Sequence, residues 1–164
     1  MKNTESVNTM FPIFLKLSKL KVLIVGGGNV AAEKLYFLLK SSPNAQVDIL
    51  APEISEEVLK IAKNYNVKSL HISNYVPSFM DGKDIVIVAT NNKLLNQNIW
   101  KDAKAKGVLV NVADTPDLCD FYMGSIITKG DLKIAISTNG KSPTLARRFR
   151  EMLEELLPDN LAET

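Results

Sequence analysis

Cysteine and histidine are scarce in this sequence, whose 164 residues include one of each. A single cysteine excludes a disulfide within the chain, and one cysteine with one histidine cannot form a zinc site of the Cys/His type. We therefore expect no metal site. The lone histidine, His71, falls in a predicted strand, where a histidine is more often a structural or surface residue than a catalytic one, so no catalytic triad is predicted.

Long hydrophobic runs are also missing. No apolar segment approaches the roughly 20 residues that span a membrane, and the first ten residues lack the hydrophobic stretch of a signal peptide. The length suits one compact domain, or one domain with a small appendage. We expect a soluble, cytoplasmic protein that does not bind membranes.

Basic residues are concentrated toward the C-terminal end, although the net charge of the chain is only +2. Six Lys and Arg side chains between residues 121 and 150 accompany a single acid, Asp131, and all three arginines lie between Arg147 and Arg150. Such clustering fits a polyanionic ligand or a solvated helix face. Nucleic acid is not expected, because no set of aromatic side chains for base stacking accompanies the arginines.

The central motif is a glycine turn that follows a buried strand. Lys21–Val25 is an aliphatic run too short for a helix, residues 26–28 are glycines, and residues 30–39 have helical spacing. A strand, a Gly-rich turn and a helix N-terminus form the pyrophosphate cradle of dinucleotide-binding folds, and Ala31 occupies the third position of G-x-G-x-x-G/A. The motif predicts a dinucleotide site.

Further aliphatic runs predict the rest of a Rossmann-like α/β domain. Strands are expected at 47–50, 67–72, 84–90 and 108–112, with helices at 54–64 and 93–106 and a short edge strand at 11–17. Such an alternation predicts a parallel sheet with right-handed crossovers.

The pattern changes after residue 112. Strands at 122–128 and 132–137 form a hairpin, and a helix follows from Pro143 to about Leu157, with Ser142 as its N-cap. This module is too small to be stable alone, so we expect it to pack in a homodimer. The predicted domains are residues 1–113 for NAD binding and 114–164 for dimerisation.

The cofactor site is predicted at the carboxyl ends of the strands. An acid near the end of the second strand often holds the adenosine ribose, and either Asp48 or Glu53 could serve. No Lys or Arg occurs between Lys40 and Lys60, which favours NAD over NADP. The predicted cofactor-binding residues are Gly26, Gly28, Asn29, Val30, Pro52, Glu53 and Thr90.

Three stretches, at 26–31, 111–121 and 136–147, carry a resemblance. From about Phe11 to Leu157 the chain resembles the precorrin-2 dehydrogenase family, the NAD-dependent part of siroheme synthase. The resemblance implies a homodimer that oxidises precorrin-2 to sirohydrochlorin, with NAD accepting the hydride. It also implies the following roles: Asp114 as the catalytic carboxylate, and Ser137, Thr138, Lys141 and Arg147 as residues that bind the tetrapyrrole.

The same resemblance sets expectations for the remaining residues. Many relatives continue into a helical third domain of which only a stub follows Leu157, so we expect a separate chelatase and no iron insertion by this chain. Asp117 and Asp120 are expected to be solvated turn residues, and Cys119 a small buried residue and not a ligand. The alternative function is an NAD-sensing module without dehydrogenase activity.

Overall fold

The computed structural model describes residues 7–159 and residue 161. These residues divide into two compact units. The first unit is Leu15–Phe121, and the second consists of residues 7–14 together with residues 122–159 and 161. No helix among the described residues is long and apolar enough to cross a membrane.

The first unit contains a five-stranded sheet in the order β3-β2-β1-β4-β5. All four strand pairs are parallel, which confirms the predicted Rossmann-like sheet. The strands are β1 Lys21–Val25, β2 Gln46–Ala51, β3 Ser69–Ile72, β4 Ile85–Val88 and β5 Leu109–Val112.

Three α-helices connect the strands, with bounds that follow local capping signals. The helices are α1 Asn29–Ser41, α2 Glu56–Asn64 and α3 Lys93–Lys106. The Ser55 hydroxyl caps α2 by accepting from Val58 N at 3.3 Å. Helix α3 has the predicted bounds, because it is capped by Asn92 and ends at Gly107 in a left-handed conformation. A short 3-10 helix, Pro77–Met80, replaces an α-helix between β3 and β4.

The central strands are buried on both faces, as their unbroken aliphatic sequences indicate. Leu23 of β1 and Val86 of β4 are fully buried on the face that packs against Ile99 of α3. Ile24 and Ile87, on the opposite face, are equally buried. Complete burial of one such side chain contributes about 1.5–3 kcal/mol, so the ends of β1 and β4 are firmly placed.

The free edge of β5 is covered by the segment that follows it. Asp120 donates its backbone N–H to Val110 O at 2.8 Å and accepts from Val110 N through its carboxylate at 3.0 Å. The Cys119 thiol donates to Val112 O at 3.2 Å. Asp120 is an exposed residue outside the strands, as expected, but its carboxylate also pairs with a strand amide and with Lys104. These bonds also keep residues 114–121 in the first unit, beyond the boundary predicted at 113.

The edge strand predicted at 11–17 is also wrong. Residues 11–16 have no regular secondary structure, and Leu17–Lys19 form a 3-10 helix. Alternating apolar residues predict a strand only where a partner strand offers backbone groups. The two neighbours of β1 are already β2 and β4, and the sheet ends at β3 and β5.

The second unit has the predicted hairpin and helix. Strands β6 Ser125–Lys129 and β7 Leu132–Ile136 pair antiparallel, and helix α4 spans Pro143–Leu156. Ser142 caps α4 by accepting from Leu145 N at 3.3 Å, as the Ser-Pro signal predicts. Four large apolar side chains of α4 remain exposed, namely Leu145, Phe149, Met152 and Leu156.

An ion pair connects Asp48 of β2 to Lys83, which lies two residues before β4. The carboxylate of Asp48 accepts a hydrogen bond from Lys83 Nζ, and the Lys83 side chain is largely buried. Burial raises the pKa of Asp48, but the hydrogen bonds from Lys83 and Ser69 and the charge of Lys83 outweigh it. The net pKa lies below the ordinary value, so the ionised carboxylate stabilises the fold.

We expect Asp48→Asn to flatten the acid limb of the stability curve. Because the pKa of Asp48 is lower in the folded chain, its contribution is present above the ordinary value of 3.8 and lost as the pH falls below it. Urea unfolding between about pH 6 and pH 3 should show a steeper loss for the wild type than for the variant. Asp131→Asn, in the exposed β6–β7 turn, is the control. Parallel curves for wild type and Asp48→Asn would contradict this assignment.

Candidate functional site

A cleft opens at the carboxyl ends of β1 and β4, with a cavity volume of about 740 Å³. At this point the strand order reverses. Strands β2 and β3 lie on one side of β1, whereas β4 and β5 lie on its other side. Open α/β sheets bind ligands at such a switch point. The lining residues are Val25–Val30, Leu50–Glu53, Ser73–Tyr75, Ala89–Asn92, Leu95, Ala113 and Asp114. They include every predicted cofactor-binding residue and Asp114.

The first two glycines of the turn are required by packing within the protein. Gly26 has φ +137°, and a Cβ there would lie 2.4 Å from Ala89 O. A Cβ on Gly27 would lie 2.0 Å from Glu53 O. The turn is bonded to β2 and to the loop after it, because Gly26 N donates to Leu50 O at 2.9 Å and Ser55 N donates to Gly27 O at 2.8 Å. These two glycines bring the turn against the ends of β2 and β4.

Gly28 differs from its neighbours, because the protein itself does not require a glycine there. Its φ is −95°, and a Cβ would meet no protein atom within 4 Å. Gly28 is also the N-cap of α1, and no side chain caps that helix end. The helix therefore presents uncapped amides beside open space on the wall of the cleft. This arrangement fits the pyrophosphate of a dinucleotide, which would accept hydrogen bonds from the amides.

The structure separates the two acids proposed for the ribose. Asp48 of β2 is bonded to Lys83 and is not among the residues that line the cleft. Glu53, in the loop after β2, does line it. Of the two, only Glu53 is placed to reach a ligand in the cleft.

The end of β4 is shaped by a polar network that the sequence analysis missed. Thr90 lines the cleft, and its carbonyl accepts from Asn96 Nδ2 at 3.1 Å. The Thr90 hydroxyl donates to Asn96 Oδ1 and accepts from Asn92 N at 3.2 Å. Asn96 is a buried polar residue of α3. The sequence did offer a signal for this network. Asn96 follows the N-cap Asn92 by one helical turn, at a position of α3 that faces the core, where a polar side chain needs a partner.

The loop after β3 is the other part of the cleft that sequence reasoning missed. Ser73, Asn74 and Tyr75 follow β3 just as Pro52 and Glu53 follow β2. The same strand-end rule that predicted Thr90 applies to this loop. The hydroxyl of Tyr75 donates to Asp102 at 2.8 Å, and burial together with that carboxylate raises the pKa of Tyr75.

Asp114 lies in the turn after β5, on the wall of the cleft. Its φ is +57°, a left-handed conformation that Asp and Asn tolerate better than other side chains. The turn is held on both sides, because Ala113 N donates to Val88 O at 2.9 Å and Thr115 N donates to Val112 O at 3.2 Å. The turn that carries the exposed Asp114 side chain is therefore held at the carboxyl end of the sheet.

The four predicted substrate-binding residues belong to the second unit. Ser137 and Thr138 lie in the loop between β7 and α4, where their hydroxyl oxygens accept from Asn139 N and Ser142 N, both at 3.2 Å. Lys141 closes this loop by donating its backbone N–H to Thr138 O at 3.1 Å. Arg147 is exposed on α4 and forms an ion pair with Glu151 at 3.6 Å, one turn along the helix.

The remaining candidates for chemistry are engaged elsewhere. His71 lies in β3, where its Nε2 contacts Ser69 Oγ at 3.1 Å and its ring packs edge-on against Phe79. Burial raises the pKa of the Cys119 thiol, which is bonded to the backbone of β5. Among the described residues, no cluster of three or more His, Cys, Asp or Glu side chains is placed to hold a metal ion.

Two protein families match consecutive parts of the sequence. Residues 13–125 match the family described as "Putative NAD(P)-binding". The chain belongs to this family. Residues 129–156 match the family described as "Sirohaem biosynthesis protein central". The first match covers the unit that contains the cleft, and the second covers most of the hairpin and helix α4.

Several curated relatives are siroheme synthases. The chain is 44% identical over 148 residues to siroheme synthase of Psychrobacter sp. (strain PRwf-1), covering 90% of this chain and 30% of the relative. It is 38% identical over 148 residues to siroheme synthase of Nitrosomonas eutropha, covering 90% of this chain and 31% of the relative. The chain thus spans about 30% of the length of these relatives.

A solved structure is similar over most of the chain. The structure of SirC, a precorrin-2 dehydrogenase, matches with a TM-score of 0.77 and 25% sequence identity. The match covers 92% of this chain and 72% of SirC. The similarity therefore extends over the sheet and beyond it.

We expect Gly28→Asp to separate folding from cofactor binding. Aspartate is a favourable N-cap, so α1 and the thermal stability should be preserved or improved. Its charge would nevertheless stand beside the pyrophosphate, so NAD affinity should fall at least about a hundredfold, as expected for nearly 3 kcal/mol of lost binding. Calorimetric titration with NAD and thermal unfolding measure the two effects.

Gly28→Asn is the matched control for charge. It adds nearly the same volume and also caps the helix, so it should lose less affinity than Gly28→Asp. An Asp variant that is folded and binds NAD as well as the wild type would show that the pyrophosphate lies elsewhere.

Proposed function

We propose that the chain is an NAD-dependent precorrin-2 dehydrogenase, which oxidises precorrin-2 to sirohydrochlorin in siroheme biosynthesis. The observation that carries the proposal is the position of Asp114 on the wall of the same cavity as the glycine turn. An oxidation in which the substrate loses a hydride and a proton requires a bound hydride acceptor and a proton acceptor. The dinucleotide cradle and the Asp114 carboxylate, both at the carboxyl ends of the strands, would supply these two parts. The siroheme synthase relatives and the SirC structure support the choice of substrate.

The cleft favours NAD over NADP in this proposal. Glu53 follows β2, where an acid in this fold hydrogen-bonds the ribose hydroxyls of the adenosine. No lysine or arginine lines the described cleft, so a 2′-phosphate would find no cationic side chain there. Glu53 itself would repel such a phosphate.

Asp114 would act as the proton acceptor. Bound NAD supplies the hydride acceptor, and the substrate must also lose a proton when its hydride leaves. An exposed carboxylate held in a fixed turn can take that proton. The flanking bonds of Ala113 and Thr115 would keep the carboxylate in place during the reaction.

The second unit would bind the tetrapyrrole. The substrate carries several carboxylates, and the Lys141 and Arg147 side chains could form charge-assisted hydrogen bonds with them. Ser137 and Thr138 offer hydroxyl groups in the same loop region. Insertion of a metal by a separate chelatase and a cytoplasmic location stay predictions.

The second unit would also form a homodimer. Leu145, Phe149, Met152 and Leu156 of α4 are between 45% and 71% exposed, and Phe11 is 86% exposed. Apolar surface of this density on one small unit is typical of an interface between protein chains. A two-fold symmetric dimer through this unit is the simplest assembly that would cover it.

We expect Asp114→Asn to lower precorrin-2 turnover by about 10²–10⁴-fold with little change in NAD affinity. Asparagine tolerates the same left-handed backbone and keeps the shape of the side chain, so only the ability to accept a proton is lost. Turnover is followed by the absorbance of sirohydrochlorin and NADH. Asp117→Asn, an exposed carboxylate outside the cleft, is the control.

Two outcomes would contradict the proposal. Turnover of Asp114→Asn within a few-fold of the wild type would show that Asp114 is only a turn residue. Wild-type protein that binds NAD without oxidising precorrin-2 would favour an NAD-sensing module.

The dimer is tested by Phe149→Glu. A charge in the centre of the apolar face of α4 would be costly to bury, so the variant should sediment as a monomer at micromolar concentration. Leu94→Glu places the same kind of change on an exposed position of α3 and should leave the dimer intact. A wild-type monomer, or a dimer that persists in Phe149→Glu, would contradict the assignment.

A further inference from the structure

We infer that Asn96 is a positioning residue that fixes the nicotinamide side of the cleft by holding Thr90. This inference rests on the proposed NAD-binding function and identifies a residue that determines how the cofactor is held. Asn96 lies in α3, is 7% exposed and is not among the residues that line the cleft. It would therefore act through another residue.

Both polar atoms of the Asn96 side chain bond to Thr90. Its Nδ2 donates to Thr90 O at 3.1 Å, so its Oδ1 is the atom that faces the Thr90 hydroxyl. An amide oxygen can only accept, and the hydroxyl must donate to it. One buried amide thus fixes the carbonyl and the side chain of the same residue on the wall of the cleft.

The network extends to the start of α3. The Thr90 oxygen accepts from Asn92 N at 3.2 Å, and Asn92 caps α3 by accepting from Leu95 N at 3.0 Å. Asn96 N donates to Asn92 O at 2.9 Å. The segment from Thr90 to Asn96 is closed by these bonds, and burial keeps water from competing for the bonds of Asn96.

The position of Thr90 defines which part of the cofactor depends on Asn96. A dinucleotide in this fold crosses the switch point, with the adenosine ribose beside the end of β2. Glu53 marks that side, so the end of β4 and Thr90 belong to the nicotinamide half. Because the hydroxyl proton of Thr90 is directed at Asn96, Thr90 would meet the cofactor through its methyl group and its oxygen lone pair.

This role predicts a selective loss of affinity. Asn96→Leu keeps the size of the side chain and removes both bonds to Thr90, so NAD should bind about tenfold more weakly, as for loss of a buried hydrogen-bonded partner. ADP lacks the nicotinamide half and should bind within about twofold of the wild type, because the glycine turn and Glu53 are unchanged.

The experiment measures the dissociation constants of NAD and ADP by calorimetric titration for wild type and variants. Asn98→Leu, the same change on an exposed position of α3, is the matched control and should alter neither constant. Thr90→Val removes the hydroxyl alone, and in its combination with Asn96→Leu the two losses of NAD affinity should be less than additive. Asn96→Ser is the second variant if Asn96→Leu does not fold.

Three results would overturn the inference. Equal losses for NAD and ADP would mean that Asn96 supports the fold as a whole. Unchanged NAD affinity in folded Asn96→Leu would mean that Thr90 needs no support, and additive losses in the double variant would mean that Asn96 does not act through Thr90. Binding alone decides these results, so they stand apart from the oxidation of precorrin-2, whose absence would contradict only the proposed reaction.

Discussion

The close approach of one turn to two neighbouring strand ends is the constraint on which the candidate site depends. A side chain at Gly26 would collide with the backbone of Ala89, and one at Gly27 with that of Glu53. The turn can therefore lie between the ends of β2 and β4 only because these two positions have no Cβ. This close approach brings Glu53, after β2, and Ala89, after β4, to the wall of the same cleft.

Much of this arrangement follows from local patterns in the sequence. Aliphatic runs that lack alternation predict strands buried on both faces, and the structure confirms the parallel sheet that they form. Helix α3 begins and ends where its Asn cap and its glycine indicate, since both signals act within one turn of the chain. Because parallel strands end at one edge, placing Thr90 and Asp114 on the same cleft required no more than their positions after β4 and β5.

What the sequence did not reveal depends on partners that are distant in the chain. The alternation at residues 11–17 could not show that both neighbours of β1 are other strands. Asp120 is of a residue type common in turns, yet its carboxylate accepts a hydrogen bond from the backbone N–H of Val110 at the edge of β5. The choice between Asp48 and Glu53 likewise depended on Lys83, which neutralises Asp48 from a position 35 residues away.

The caps of the α-helices give a further reason to regard the α1 terminus as a binding surface. Helices α2, α3 and α4 are capped by Ser55, Asn92 and Ser142, so this sequence uses capping side chains readily. A Ser, Asn or Asp cap contributes about a few tenths of a kcal/mol more than a glycine at the same position. Helix α1 begins after Gly28, where a capping side chain would meet no steric obstacle. The first turn of α1 therefore forgoes that stability in the free protein, and an anion bound there would supply the missing acceptor. Binding and stabilisation of α1 are then one event, because the same amides serve both.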